Sequence, residues 1–215
     1  MLYKDRIQGA MRLAREFSGL SLSYPLILAI PRGGVVIGFE LAKELKGELD
    51  IVVSRKLGAP GEPELAVGAV MHDGTTFMNE DVAKHVRASD EYLEREKRHQ
   101  IEEANRRLLV YRGNRPYPLL KDRSVIIVDD GVATGATMIA ALGWARDKGA
   151  RDVIAATPVA PIETIRKLEE AADRVICPAT PEPFFAIGQF YEEFSQVEDA
   201  EVIQLLQRSW KRAEN

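Results

Sequence analysis

Val125-Ile126-Ile127-Val128-Asp129-Asp130-Gly131-Val132-Ala133-Thr134-Gly135-Ala136-Thr137-Met138 passes from an apolar run, through two acids, into a small-residue turn that opens a helix. Four consecutive apolar residues, Val125–Val128, fit a strand buried on both faces. In open α/β sheets, ligands bind outside the carboxyl ends of such strands. Gly131 and Gly135 let the backbone approach an anion closely. The free N–H groups at a helix start, together with the positive end of the helix dipole, form a phosphate site. Thr134 and Thr137 can add hydroxyl hydrogen bonds. Asp129 and Asp130 can accept from vicinal sugar hydroxyls, or hold a divalent cation through water. No Lys follows the second glycine, so this is not a Walker A loop, and a G-x-G-x-x-G turn is also absent. The plainer alternative is a tight strand-to-helix turn in which Gly and Thr serve geometry alone.

Outward from this segment, strand and helix patterns alternate. Leu26–Ile30 predicts a strand, Pro31–Gly34 a loop and Val35–Leu45 a helix. Asp50–Val53 predicts a second strand that runs into Ser54–Pro63, a Gly/Pro-rich loop. Leu65–Met71 predicts a third, with a short partner at Thr75–Met78. After Val125–Val128, Gly135–Lys148 predicts a helix, Val153–Thr157 a strand, Ile162–Ala171 a helix and Arg174–Cys177 a strand. This order predicts an α/β fold, an open and mostly parallel sheet flanked by helices. Ser89–Gly113 breaks the rhythm. Glu91/Arg95, Glu94/Arg98, Glu102/Arg106 and Glu103/Arg107 are acid-before-base pairs at i,i+4 on a charged helix. Residues 1–215 are expected to form one domain, with a helical insertion at 79–118 and a C-terminal segment at 178–215 as cap or hood. Ile7, Met11, Ala14 and Phe17 mark the apolar face of an N-terminal amphipathic helix.

Composition narrows the function classes. Of 215 residues, 46% are hydrophobic and 29% charged, and the net charge is -4. Nucleic-acid backbones select for a basic excess, so a nucleic-acid partner is not expected. No apolar run is long enough for a membrane span, and the charged N-terminus lacks the apolar core of a signal peptide. One cysteine, Cys177, excludes a disulfide framework within the chain and fits a cytoplasmic location. His72, His85 and His99 lack metal-ligand spacing. Trp144 and Trp210 read as helix packing, and Cys177 as a small buried residue.

The segment Val125–Thr137 resembles the 5-phosphoribosyl-1-pyrophosphate (PRPP) signature of the type I phosphoribosyltransferases. The resemblance implies that Asp129 and Asp130 bind the ribose hydroxyls and share Mg2+. It gives Gly131, Val132, Ala133, Thr134, Gly135, Ala136 and Thr137 to the 5′-phosphate. Pro31-Arg32-Gly33-Gly34 resembles the family's pyrophosphate loop, and Arg55-Lys56 the basic pair ahead of a mobile lid, here Ser54–Pro63. Glu62 or Glu64 would approach the incoming nucleophile. Pro181–Phe194 resembles the base-binding stretch of the purine enzymes, with Phe185 stacking on the base and Glu192 as the following acid. The alternative for Phe184, Phe190, Tyr191 and Phe194 is packing beneath a cap.

The resemblance departs at two places. Ala133 stands where the hypoxanthine-guanine enzymes carry an Asp, and Ala155–Pro161 holds no Lys to read a 6-oxo group. The implied activity is transfer of phosphoribosyl from PRPP to a nitrogen nucleophile, with loss of pyrophosphate, in a homodimer. Two other functions stay open: a non-catalytic PRPP-binding or nucleotide-binding regulator, and a receiver-like phosphoacceptor domain.

Overall fold

The computed structural model describes residues 1–213. Its elements are α1 (Arg6–Arg15), β1 (Leu26–Ala29), α2 (Gly33–Glu44), β2 (Glu48–Ile51), β3 (Ser54–Ala59), β4 (Glu62–Met71), β5 (Thr76–Met78), α3 (Glu80–His85), α4 (Asp90–Arg112), β6 (Ser124–Val128), α5 (Ala136–Asp147), β7 (Asp152–Ala156), α6 (Ile162–Ala171), β8 (Arg174–Ile176), a 3-10 turn Ile187–Phe190, and α7 (Asp199–Ala213).

The main sheet has five strands in the order β2-β1-β6-β7-β8, all parallel. The expected α/β class is therefore correct. Alternation along each strand sends its side chains to two cores. Ile27, Ala29, Ile126 and Val128 pack with α1, α2 and α7, whereas Leu26, Leu28, Val125 and Ile127 pack with α5. Both faces being covered explains why these strands read as unbroken apolar runs. β1 continues through α2 to β2 on one side, and β6 continues through α5 to β7 on the other. The chain therefore winds in opposite directions from neighbouring strands, and the loops after β1 and β6 splay apart at their carboxyl ends. That is the topological switch point, where open sheets hold ligands.

A second sheet, β3-β4-β5, is antiparallel. Here the sequence expectation needs correcting. Ser54–Pro63 is a hairpin, and not an irregular loop. Pro60 and Gly61 make its turn, with Gly61 at φ 78. Proline sets the first corner and glycine supplies the positive φ of the second. Pro63 is tolerated because β5 pairs only with Gly68–Val70 and leaves the start of β4 without a neighbour on that side. A bulge at Gly58 lets the backbone pass Pro63, since a Cβ at Gly58 would sit 2.9 Å from it. Residues 79–118 hold α3 and α4, which cover the hairpin through Leu57, Val67, Val70, Leu93 and Ile101. Of the four expected i,i+4 pairs, Glu103–Arg107 closes at 2.8 Å. Arg106 and Lys97 instead pair at i,i+3, with Glu103 and Glu94.

Arg112 fastens the far end of α4 to the main sheet. It grips buried Asp50 of β2 with two bonds, 2.7 and 2.9 Å, and also donates to the Arg115 and Pro116 carbonyls. The N-terminal helix forms as expected but is turned. Ala10, Leu13 and Phe17 are buried, whereas Ile7 and Met11 are exposed. The small residue Gly9 permits this rotation, lying against Pro158 and Tyr191 where a Cβ would crowd both. No helix of the described residues is long and apolar enough to cross a membrane.

Candidate active site

The turn after β6 is built to offer amides. Val132 N–H donates to the Val159 carbonyl, and the Thr164 hydroxyl holds the Ala133 carbonyl. These two bonds, one through a turn amide and one through a turn carbonyl, fix the turn against the body of the protein. Gly135 takes φ 84, a left-handed corner that a side chain would strain. The first amide of α5 with an intrahelical acceptor is Ile139, bonded to Gly135 oxygen at 2.8 Å. The amides of Ala136, Thr137 and Met138 are therefore the unpaired donors that every helix start carries. Among the described residues, no protein oxygen accepts from the amides of Ala133, Thr134 or Gly135. Ala133 and Thr134 are exposed. An anion-accepting turn thus faces outward at the switch point.

The two acids are not equivalent. Asp130 is buried and receives a 2.7 Å bond from Arg6 Nε of α1. The Arg6 guanidinium lies 3.9 Å from the Phe194 ring centroid and also donates to the Ser195 carbonyl. Tyr191 donates its hydroxyl to the Asp130 carbonyl. Among the described residues, Asp129 is held by its neighbour alone, accepting from the Asp130 amide at 2.8 Å. Burial, then the adjacent Asp130 charge, pushes the Asp129 carboxyl well above the usual carboxylate range. Burial also raises Asp130, with Arg6 pulling in the opposite direction. An acid so disfavoured as a bare anion gains from a bound hydroxyl or cation.

Pro31-Arg32-Gly33-Gly34 sits directly beside these acids. A Cβ on Gly33 would lie 1.8 Å from Asp130 Oδ2, and one on Gly34 2.9 Å from the Val128 carbonyl and 3.0 Å from Asp129. Both glycines are required for the loop after β1 to close on the loop after β6. Gly33 and Gly34 also belong to the first turn of α2, inside the segment expected as a loop. Arg32 points toward Asp199 of α7, 3.6 Å away.

The hairpin meets the turn through Ser54, whose hydroxyl donates to the Thr137 carbonyl at 3.0 Å. Arg55 and Lys56 are successive on β3, so the pleat sends them apart. Arg55 Nε bonds Gln100 of α4, while Lys56 binds Glu64 across the hairpin. Glu62 stands exposed near the hairpin tip. The C-terminal segment approaches from the opposite side, with Ile187 filling the space where a Cβ on Gly131 would be, 2.3 Å away. Phe184 packs on Phe190 and Tyr191 on Phe194, which supports the packing alternative for those four rings. Phe185 is 85% exposed, on a turn that Gln189 pins through the amides of Phe185 and Ala186. Glu192 is exposed and tied by its amide to Tyr3. Arg6, Thr164 and Asp199 carry no signal in the sequence, because they lie far along the chain from the loops they support, and Tyr191 was legible only as a packing residue.

Mg2+ typically keeps several waters and takes only one or two protein carboxylates beside substrate phosphates. No cluster of three or more His, Cys, Asp or Glu suited to a metal occurs among the described residues. A hard-oxygen pair with one loosely engaged member, Asp129, fits an ion of that habit and would not fit a dedicated all-protein cage.

Comparison with known proteins gives a consistent result. The family described as "Phosphoribosyl transferase domain" matches residues 2–193. A Mycobacterium tuberculosis protein named "Putative phosphoribosyl transferase Rv0571c" is 41% identical over 208 residues, 97% of this chain. The match takes in 47% of that relative, so the chain spans about half the length of the curated relatives it matches. The crystal structure of TT1426 from Thermus thermophilus is 41% identical, with a TM-score of 0.84, covering 97% of this chain and 99% of that one. A Neisseria gonorrhoeae protein crystallised with ppGpp has a TM-score of 0.51 at 14% identity, over 97% and 98% of the two chains, a likeness of fold alone.

Proposed function

The chain belongs to the phosphoribosyl transferase family, and from that premise we propose that it transfers the 5-phosphoribosyl group of PRPP to a nitrogen nucleophile on a nucleobase-like ring, releasing pyrophosphate. The observation that carries this proposal is the outward-facing turn Ala133–Thr137, with unpaired amides, next to a raised carboxyl at the switch point.

In this proposal Gly131, Val132, Ala133, Thr134, Gly135, Ala136 and Thr137 form the turn that cradles the 5′-phosphate, with the free amides from Ala133 to Thr137 and the α5 dipole supplying the attraction. Asp129 accepts from the ribose hydroxyls. Asp130, anchored by Arg6, holds α1 and the loop Pro31–Gly34 in register, and reaches the ribose only if Arg6 shifts. Asp129 and Asp130 would hold Mg2+ with the substrate. That ion would neutralise charge gathering on the pyrophosphate. Arg32 with the amides of Gly33 and Gly34, and Lys56 from the hairpin, would stabilise the leaving pyrophosphate as the C1–oxygen bond lengthens. Arg55 joins them only by turning from Gln100. Glu62 would come within reach of the nucleophile as the hairpin tip closes, and that closure would keep water from the sugar cation. Phe185, already exposed, would stack on the acceptor ring, with Glu192 behind it. Residues 79–118 and 178–215 would serve as hood and cap around a single domain, with residues 214 and 215 outside the described residues. A homodimer, working without nucleic acid or membrane in the cytoplasm, completes the proposal.

Pyrophosphate release measured across a panel of purine and pyrimidine bases, with PRPP and Mg2+, tests it. Turnover with one base class, lost in Asp129→Asn, is the expected result. PRPP binding without turnover on any base would favour the regulatory alternative, and no PRPP binding would remove both.

A further inference from the structure

Arg32, Arg106, Arg107, Tyr111 and Asp199 line one cavity of about 430 Å3. Its walls come from the loop after β1, the inserted helix α4 and the C-terminal helix α7. That volume belongs to the small-ligand range and exceeds what a single phosphate group fills.

We propose that this cavity binds the terminal phosphates of a polyphosphate anion, with Arg106 and Arg107 of α4 and Arg32 as the ligating cations. Three guanidiniums on one wall system are costly without counter-charge. The protein supplies that charge unevenly, closely to Arg106 and Arg107 through Glu103 and at a distance to Arg32 through Asp199. Glu103 accepts from Arg106 at 2.7 and 3.0 Å and from Arg107 at 2.8 Å, leaving further N–H groups on both guanidiniums. Asp199 stays 3.6 Å from Arg32 and takes its hydrogen bond from the Tyr111 hydroxyl, 2.7 Å away. Arg32 is thus positioned by a charge it does not bond. Burial, followed by the Arg107 charge, lowers Arg55, so a fourth guanidinium lies within electrostatic range of α4. Guanidinium forks match phosphate oxygens in pairs, and a cluster of them with resident acids as placeholders suits an anion that displaces those acids.

The site shares Arg32 with the proposed pyrophosphate loop, but its other cations come from the insertion, so the two ideas can fail separately. The probe is inorganic tripolyphosphate, titrated calorimetrically without Mg2+. The wild-type protein is expected to bind it, Arg106→Gln/Arg107→Gln to bind at least tenfold more weakly, and Arg106→Lys/Arg107→Lys to recover part of the loss. Glu103→Gln keeps both arginines, removes their resident acid, and is expected to bind several-fold tighter. Asp129→Asn is expected to bind tripolyphosphate like the wild type even while losing PRPP. Equal affinity in the glutamine variant, or no gain in Glu103→Gln, overturns the inference. Failure of the wild-type protein to bind PRPP, with its tripolyphosphate binding intact, would count against the sugar-phosphate proposal and not against this one.

Discussion

Replacing Arg6 by Met removes the guanidinium that, among the described residues, compensates Asp130. Both side chains are only 11% exposed, so solvent screening offers little relief. Breaking one partner of a buried pair costs about 3–5 kcal/mol, chiefly because the remaining charge is left stranded. The stacked Phe194 ring, 3.9 Å from the guanidinium, adds about 1 kcal/mol. The cost depends on pH in a definite direction. Burial already holds the Asp130 carboxyl above its unfolded value of 3.8, and loss of Arg6 removes the main opposing influence. A carboxyl raised in the folded state costs stability as pH climbs from the unfolded value through the folded one. Urea denaturation should therefore show Arg6→Met less impaired at pH 5 than at pH 8. Adding Asp130→Asn should recover much of the loss, since no buried charge then remains. A deficit under about 1 kcal/mol, or one equal at both pH values, would refute the anchoring role of this pair.

Other changes give equally definite expectations. Asp50→Ala strands Arg112 inside the protein and should cost about 3–5 kcal/mol by denaturant unfolding, with Asp50→Ala/Arg112→Met less damaged than Asp50→Ala alone. Gly33→Ala places a carbon 1.8 Å from Asp130 Oδ2, so it should lower the melting temperature and weaken PRPP binding together. His72 stacks on Tyr117 with its Nδ1 buried and unpartnered, and burial lowers its pKa from 6.5. A lowered histidine stabilises the fold above pH 6.5 and loses that contribution as pH falls. His72→Phe should flatten the decline in stability between pH 6.5 and 5.

The centre of the main sheet was legible because β1 and β6 are buried on both faces, which makes Val125–Val128 and Leu26–Ala29 unbroken apolar words. The phosphate turn was legible for a related reason. Free amides, a left-handed corner at Gly135 and a helix start need adjacent residues, so the requirement appears as a local pattern. The second arm of the hairpin was legible at Leu65–Met71, but its first arm and turn, Ser54–Pro63, read as a loop because Pro60, Gly61 and Pro63 are the residues that usually end structure; here they make the turn and a free edge. Glycines at 33 and 34 suggested contact with pyrophosphate, whereas their immediate necessity is contact with Asp129 and Asp130. The rotation of α1 and the capture of Asp130 by Arg6 depend on contacts across more than a hundred residues. Sequence spacing cannot carry such information.

The central claim is that a sugar phosphate seats between the carboxyl ends of β1 and β6. A crystal structure of the protein grown with PRPP and Mg2+ tests it most directly. The expected result is a 5′-phosphate on the amides of Ala133–Thr137, ribose hydroxyls against Asp129, and pyrophosphate toward Arg32. PRPP bound elsewhere, with those amides facing only solvent, would contradict it.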